Sequence, residues 1–322
     1  MGRYLIRRLL WVAVTLLLIT FFTYLIFFVM PPTDPAVNFA GKQPTPELVA
    51  EVKRQFGLDK PLLVQYGLFV KRVVLGDEYG WPGLGFSFNT RAALKPVIAK
   101  RLLVTIQLAM GAAAIWLIAG VAIGILSALR PRSLFDRLAM GFALLGVSAP
   151  VFFVGPVFLW VFWFKLRILP GTGFYPISQY GLGEWFMHML MPWTVLALAY
   201  AAIYARLSRA NLIETMSEDY IRTARAKGLS PRAVTIRHGL RASLTPIVTV
   251  FGLDLGGLLG GAIITETVFN LQGIGNYAVS SVFDGDLYAI LDVTVIAAFF
   301  IVAANLVVDI LYAFLDPRVR YS

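Results

Sequence analysis

Six stretches of this sequence are long enough and apolar enough to cross a lipid bilayer as helices, and no other feature restricts its fold as strongly. A helical span needs about 20 consecutive, mostly apolar residues. Four of the stretches contain no Asp, Glu, Lys or Arg, and the other two contain one aspartate each. The stretches are Leu9–Met30, Leu102–Leu129, Leu138–Phe164, Trp185–Ala205, Ala242–Thr265 and Leu287–Val308. The sequence therefore predicts an all-α membrane protein with six transmembrane helices.

The composition agrees with this prediction. Hydrophobic residues make up 58% of the chain and charged residues only 14%, and the mean hydropathy is +0.75. The first stretch follows a basic amino-terminal segment, as a signal peptide would, but its 22 apolar residues exceed a signal-peptide core and no small-residue cleavage site follows. Because cysteine is absent, the sequence excludes a disulfide framework, a thiol nucleophile and a cysteine metal site.

Basic residues indicate the orientation of the spans. They precede the first span, fill the connection between the second and third, recur from Arg206 to Arg241 between the fourth and fifth, and follow the sixth. By the positive-inside rule, both termini are cytoplasmic and the protein is multi-pass. The net charge of +10 is explained by this bias and by contact with membrane lipid, so we expect no nucleic-acid partner.

The same pattern divides the chain into four parts. Residues 1–30 form an amino-terminal tail and the first helix, and residues 31–100 form an extracytoplasmic segment. Residues 101–315 form the transmembrane core, with a cytoplasmic loop at 206–241, and residues 316–322 form a cytoplasmic tail. In the external segment, PTPELVAEVKRQFG and LLVQYGLFVKRVVLG predict two helices, and EYGWPGLG predicts turns. This segment either packs on the membrane surface or docks an external partner.

Proline and glycine mark two of the spans as irregular. Pro150 and Pro156 should bend the third span or leave carbonyl groups free. Gly252, Gly256 and Gly260 lie on one stripe of the fifth span, which is the small-residue spacing of closely packed membrane helices. The stripe is a packing surface or, alternatively, an interface that slides during transport.

The basic connection EDYIRTARAKGLSPRAVTIRHGLRASLTP, residues 218–246, predicts a pair of helices. Glu218–Gly228 lacks proline and is rich in Ala, Arg and Lys, and Gly228 can end that helix in a left-handed conformation. Ser230 can then cap a second helix with Pro231 at its first position. Five apolar residues would form a contact surface: Ile221, Ala224, Leu229, Val234 and Ile236. A cytoplasmic docking element explains this length better than a loop that only sets topology.

At these residues the sequence resembles the membrane permeases of binding-protein-dependent ABC importers, in the dipeptide/oligopeptide (peptide/nickel) branch. The group Arg222-Thr223-Ala224, followed by Gly228, fits the family's coupling-loop motif, the EAA motif, although His238 and Arg241 depart from the wider superfamily. RYLIRRLL, FGLDKPLLVQYGLFVKRVVLGD, GGAIITETVFNLQGIGNYAVSSVFDGD and DILYAFLDPRVR are similar to other parts of the family, so the resemblance covers nearly the whole chain.

The resemblance implies that the cytoplasmic loop docks into a cleft on an ATPase subunit. The ATPase-coupling residues would be Glu218, Asp219, Tyr220, Arg222, Thr223, Ala224, Arg225, Ala226, Lys227, Gly228, Leu229 and Pro231. The implied partners are a second related permease, two cytoplasmic ATPases and an extracytoplasmic substrate-binding protein in a prokaryotic plasma membrane. No G-x-x-x-x-G-K-[ST] motif occurs, so the chain itself is expected to be no enzyme, with ATP and Mg²⁺ bound by the partners.

A few polar residues are candidates for the translocation pathway. Acidic residues at helix depth usually face a cavity or a partner, and the candidates are Asp254, Glu266 and Asp292. Phe269–Asp286 is interpreted as a re-entrant gate lined by Asn270, Gln272, Gly273 and Gly275. His188 and His238 lie too far apart in the predicted topology to share a metal ion, so no metal site is expected.

Three alternatives remain. Nickel, glutathione or oligosaccharides are carried by similar chains, so the resemblance leaves the cargo open between these and peptides. An ion-driven secondary transporter is a second reading, but it should show an internal repeat and paired discontinuous helices, and neither is visible. An intramembrane enzyme would need a nucleophile–base pair or metal cluster, for which two histidines and no cysteine offer little.

Overall fold

The computed structural model describes residues 2–29, 36–37, 45–87 and 89–315. The amino-terminal half contains α1 (Gly2–Tyr24, continued as a π-helix over Leu25–Val29), α2 (Pro46–Phe56), α3 (Leu62–Leu75), strands β1 (Phe86–Ser87) and β2 (Ala92–Ala93), α4 (Leu94–Leu129), α5 (Leu134–Ser148) and α6 (Val151–Phe158, continued as a π-helix over Leu159–Lys165). The predicted tail at 316–322 lies outside the described residues.

The second half is also helical. It contains α7 (Ile177–Thr215), α8 (Asp219–Ala226), α9 (Pro231–Ala233, continued as a π-helix over Val234–Leu240), α10 (Arg241–Ser243), α11 (Thr245–Leu259), α12 (Ile263–Val268), α13 (Ile274–Asp284) and α14 (Leu287–Leu315). The predicted all-α class is thus confirmed, with a hairpin of two antiparallel two-residue strands as the addition.

Among the described residues, four helices are long and apolar enough to cross a membrane, and the number rises to six if each of two bent helix pairs is one span. The continuous helices are Ile6–Phe28, Leu94–Leu129, Ile177–Thr215 and Leu287–Ile310. The third predicted span is one of the bent pairs, because α5 and α6 meet at 104° beside Pro150. Proline removes a helix donor and disfavours a helical residue before it, which explains a break at Ala149.

The fifth predicted span, Ala242–Thr265, has different bounds from the helices in this region. Helical structure begins earlier, at Pro231, and bends by 42° between Pro231–Ser243 and Thr245–Leu259. It stops at Leu259, six residues before the predicted end, and α12 starts as a separate helix. Gly261 adopts φ +126°, a backbone conformation incompatible with continuing the helix.

The chain divides into two compact units. The first comprises Met1–Thr105, Gly256–Ile263 and Gln272–Leu306. Its core is aromatic: Tyr24 stacks on Phe28 with ring centroids 4.5 Å apart, and Phe69 of α3 and Tyr288 of α14 belong to the same buried cluster. The predicted external helices are present as α2 and α3, and α3 packs into this shared core.

The glycine stripe lies against α14 within the first unit. A Cβ added to Gly256 would come within 2.3 Å of the Ala304 Cβ, and one added to Gly260 within 3.1 Å of the Ala297 Cβ. At these two positions, the predicted close packing of small residues is therefore confirmed.

Two hydrogen bonds join the hairpin to the loop before α14, also within the first unit. The Ser87 hydroxyl donates to the Asp286 carboxylate, and the Asn89 side chain donates to the Asp284 carbonyl at 2.6 Å. Asp286 is 5% exposed and also accepts from the Ala289 N–H at 3.2 Å, as a helix cap. Burial raises the pKa of the Asp286 carboxyl above 3.8, and both hydrogen bonds oppose that shift.

The second unit comprises Ile106–Leu255, Ile264–Leu271 and Val307–Ser322. Within it, α4 and α7 approach closely along a row of glycines. A Cβ on Gly111 would fall 2.1 Å from the Trp193 ring, and one on Gly124 would fall 2.5 Å from the Ala205 carbonyl oxygen. The Trp193 indole N–H donates to the Gln107 carbonyl at 2.9 Å, so this approach is also hydrogen-bonded.

Candidate functional site

The first arm of the predicted helix pair is α8, and its C-terminal end is closed by a Schellman motif. Gly228 lies at φ +79°. The Leu229 N–H donates to the Ala224 carbonyl at 3.4 Å, and the Gly228 N–H donates to the Arg225 carbonyl at 3.0 Å. This is the hydrogen-bond pattern with which a left-handed glycine satisfies the last carbonyls of a helix. The predicted helix end at Gly228 is confirmed.

The second arm starts with the predicted cap. The Ser230 hydroxyl accepts from the Ala233 N–H at 3.3 Å, and Pro231 occupies the first helical position. The arm continues as helix through the π-helix Val234–Leu240 and α10 toward α11. The helix pair is thus joined to the fifth span by helical backbone.

Small apolar side chains hold the two arms together. Ile221 and Val234 are fully buried and Ala224 is 8% exposed, and Met216 packs against these three residues. Gly239 makes the contact possible, because an added Cβ would fall 2.8 Å from the Met216 sulfur. These contacts correct the predicted apolar contact surface: three of its five residues lie inside the pair, and only Leu229 and Ile236 are exposed, at 43% and 53%.

The outer face of the pair is polar, mainly basic and open. Apart from Ala224, each of the twelve residues proposed for coupling is exposed: Glu218, Asp219, Tyr220, Arg222, Thr223, Arg225, Ala226, Lys227, Gly228, Leu229 and Pro231. The Arg222 guanidinium lies 3.4 Å from the Asp219 carboxylate, and both side chains are at least 74% exposed. Such a pair contributes at most about 1 kcal/mol, so these charges remain available to a partner.

Helix α7 leads into the helix pair, and a partly buried ion pair connects α7, near its C-terminal end, to α5. Arg209 binds Asp136 of α5 through two hydrogen bonds, of 2.6 Å and 2.9 Å. Asp136 is 3% exposed and also accepts from the Arg132 N–H at 2.8 Å. Sequence reasoning missed this pair because its residues are 73 positions apart. Their only sequence signal is one acid and one base at the ends of long apolar runs.

The three acids proposed for the pathway have different surroundings. Asp254 is half-buried and accepts from the Tyr204 hydroxyl at 2.8 Å. Glu266 is fully buried in α12. Asp292 is fully buried in α14, and neither of its carboxylate oxygens has a hydrogen-bond partner among the described residues. A role in the pathway remains a prediction for all three.

The segment interpreted as a re-entrant gate is mostly helical, and its role as a gate remains a prediction. Residues 269–273 and 285–286 are irregular, and α13 occupies Ile274–Asp284. Asn270, at φ +50°, and Gln272 are exposed, whereas Gly273 and Gly275 are buried. Sequence IGNYAVSSVFD contains no proline, so one glycine at its second position did not prevent a helix.

No group of three or more His, Asp or Glu side chains among the described residues is arranged to hold a metal ion. His188 instead stacks on Tyr175, with ring centroids 3.7 Å apart.

The chain matches known families along almost its whole length. The family described as "Binding-protein-dependent transport system inner membrane component" matches residues 120–321, and its N-terminal companion matches residues 1–109. The chain is 36% identical to a probable peptide ABC transporter permease protein y4tP of Sinorhizobium fredii, covering 100% of both chains.

Two other relatives are named for different cargoes. The chain is 36% identical to the dipeptide transport system permease protein DppB of Alkalihalophilus pseudofirmus, over 99% of each chain. It is 37% identical to the glutathione transport system permease protein GsiC of Escherichia coli K12, over 100% of each chain.

These matches agree with the apolar helices in placing the protein in a prokaryotic inner membrane as a multi-pass subunit. They also make it a transporter component rather than a catalyst, in a system that includes a substrate-binding protein and ATPase partners. The chain belongs to the family of inner membrane components of binding-protein-dependent transport systems, in its peptide/nickel branch.

Proposed function

We propose that this chain is half of the translocation pathway of an ABC importer for dipeptides or oligopeptides. A second, related permease forms the other half, and two cytoplasmic ATPases bind ATP and Mg²⁺. Nickel, glutathione and oligosaccharides are the alternative cargoes. The similarity to a glutathione transport permease supports glutathione among these.

The helix pair Asp219–Leu240 carries this proposal. It is closed at the turn by Gly228 and Ser230, it has its own buried cluster, and its outer face is exposed. An element that is rigid inside and open outside suits docking to a soluble partner. In this proposal both termini and the helix pair lie in the cytoplasm. ATP-driven closure of the ATPases would move the helix pair. That movement would reach the spans through α7 and through the helices leading to α11.

Replacing Gly228 tests the docking role. A Cβ at this position meets nothing within 4 Å, so a substitution changes only the backbone preference. Valine resists the left-handed conformation by about 1–2 kcal/mol, whereas asparagine tolerates it. We expect Gly228→Val to lose most peptide uptake and Gly228→Asn to retain it, at equal abundance in the membrane. Uptake of a radiolabelled dipeptide by whole cells measures this difference, and normal uptake by the valine variant would remove the helix pair from the mechanism.

Co-isolation tests the assembly. The chain is tagged, extracted gently from its native membrane, and its companions are identified by mass spectrometry. We expect two ATPases, a second permease and a binding protein, and the ligand of that binding protein names the cargo. A chain that is isolated alone, and that moves solute on an ion gradient after reconstitution, would instead be a secondary transporter.

A further inference from the structure

The first unit contains a cavity of about 520 Å³ that has no part in the docking site. It lies beside α3, and its lining includes Tyr24, Gln65, Phe69, Arg72, Glu78 and Tyr288. Small-molecule sites usually have volumes of about 300–1,000 Å³, with mostly apolar walls and a few fixed polar groups. The volume of this cavity lies in that range, but its lining mixes aromatic side chains with several charged ones, and we call it the Arg72 cavity.

Hydrogen bonds within the protein hold most of its polar wall in place. The Tyr24 hydroxyl donates to the Gln65 side chain at 2.9 Å. The Gln65 amide in turn donates to the Leu58 and Lys60 carbonyls, at 3.1 Å and 2.7 Å. Asp77 accepts from the N–H groups of Tyr79 and Gly85, at 2.8 Å and 2.7 Å. These groups are therefore occupied, and the cavity has a preformed shape.

Arg72 is the exception in this wall. Its guanidinium lies 4.6 Å from the centre of the Tyr288 ring and 5.7 Å from that of Phe69. Its Nε and Nη2 atoms are closed to solvent and have no hydrogen-bond partner among the described residues. Buried donors normally have an acceptor, so an incompletely bonded guanidinium in a cavity wall indicates a place for an anion.

Asp292 lies close enough to Arg72 to interact with it electrostatically. It is fully buried, and neither of its carboxyl oxygens has a hydrogen-bond partner among the described residues. The Tyr288 side chain hydrogen-bonds to Arg72, but the Nε and Nη2 atoms of the guanidinium remain without an acceptor among the described residues. Arg54, Lys60 and Glu78 are exposed and add two positive charges and one negative charge to the lining.

We propose that the Arg72 cavity binds the C-terminal carboxylate of a short peptide on its way to the spans. The guanidinium fork suits a carboxylate, and the aromatic walls suit an apolar side chain. Glu78 suits the ammonium group at the other end. The mixed charge and aromatic lining disfavour a purely inorganic anion. This inference rests on the proposed peptide import, because it assigns the cargo a binding site on the permease itself.

Equilibrium binding tests the site. The full chain is purified with its co-isolated permease and ATPases, but without the binding protein, and placed in lipid nanodiscs. The probes are radiolabelled Ala-Phe with a free C-terminus and the same dipeptide as its C-terminal amide. We expect the free acid to bind at least about tenfold more tightly than the amide, because the amide loses a charge-assisted contact.

Variants locate the binding. Arg72→Gln should weaken binding of the free acid about tenfold or more and remove the preference for acid over amide. Arg72→Lys, which keeps the charge but not the fork, should fall between Arg72→Gln and the wild type. Lys71→Gln is the matched control, since Lys71 is the exposed neighbour on the same helix and is not in the lining. Thermal unfolding of each preparation confirms that the variants are folded.

Two results would overturn the site: equal binding of acid and amide by the wild type, or undiminished binding of the acid by folded Arg72→Gln. Whole-cell uptake separates this failure from failure of the proposed function. If the wild type imports dipeptides and Arg72→Gln imports them equally well, the cavity is excluded and peptide import stands. If the wild type imports none, the proposed function itself is wrong.

Discussion

Each unit contains a buried aspartate beside a partly buried arginine, and the two pairs differ in how many hydrogen bonds they make. Asp136 and Arg209 share two hydrogen bonds, and Asp136 accepts a third from the backbone. Asp292 and Arg72 are near enough to interact electrostatically, but neither Asp292 oxygen has a hydrogen-bond partner among the described residues. Since hydrogen bonds offset the cost of burying charge, the first pair stabilises the fold. The second pair has donors and acceptors without partners among the described residues, which a bound ligand could supply.

The largest expected effect comes from breaking the complete pair. Asp136→Ala would leave the Arg209 guanidinium and the Arg132 N–H without their acceptor. Removing one partner of a buried pair costs about 3–5 kcal/mol, and the 28% exposure of the Arg209 side chain places this case near or below the lower figure. The apparent Tm of the purified chain in detergent should fall by several degrees.

Asp219→Ala is the matched control for that measurement. It breaks the exposed pair with Arg222, whose side chain is 74% exposed, so the apparent Tm should hardly change. An equal drop in both variants would show that Asp136 contributes no more than a surface charge.

Asp286 is intermediate between the two pairs, because it is buried but accepts hydrogen bonds from Ser87 and Ala289. Burial raises its pKa above 3.8, so the folded state binds more protons than the unfolded state between 3.8 and the folded pKa. The contribution of Asp286 to stability is therefore greatest below pH 3.8 and falls as the pH rises through that window.

Comparing the apparent Tm of the wild type and of Asp286→Asn at several pH values isolates the contribution of the Asp286 carboxyl. The apparent Tm of the wild type minus that of Asp286→Asn should decrease as the pH rises from 4 toward neutrality. A difference that increases over the same range would mean that the Asp286 charge is favoured in the folded protein.

The smallest effect is expected at the incomplete pair. Asp292→Asn keeps the size of the side chain and breaks no hydrogen bond to it among the described residues, so it should change stability less than Asp136→Asn does. Tm in detergent measures this, alongside Asp136→Asn, which should be clearly destabilised. If both asparagine variants lost equal stability, the contrast between the pairs would disappear.

Local chemistry in the sequence predicts much of the docking site. Gly228 favours the left-handed conformation that ends the first helix. Ser230 and Pro231 favour the cap and the first position of the second helix. The charge-free runs likewise identify the spans, and Pro150 marks the break in the third. These inferences depend on neighbouring residues alone, so no knowledge of the tertiary fold was needed.

Long-range contacts account for what the sequence does not predict. Ser87 and Asp286 are 199 positions apart, and nothing near either residue identifies the other as its partner. Arg72 lies in a predicted helix, but its interaction with Asp292 depends on how α3 packs against α14. The sequence likewise did not predict α13, because its glycines suggested irregular backbone and the contacts that stabilise the helix come from elsewhere in the chain.

The length of α7 has a mechanical consequence. After the break at Gly181, where φ is +82°, the helix runs from Leu182 to Thr215 and is about 50 Å long at 1.5 Å per residue. The hydrocarbon layer is only about 30 Å thick. Helix α7 is therefore longer than this layer, and in the proposed topology its last turns, from Arg206, extend about 15 Å beyond the lipid on the cytoplasmic side. A partner bound to the helix pair would then act on the end of a rigid helix, and a small displacement there would rotate or shift the whole span.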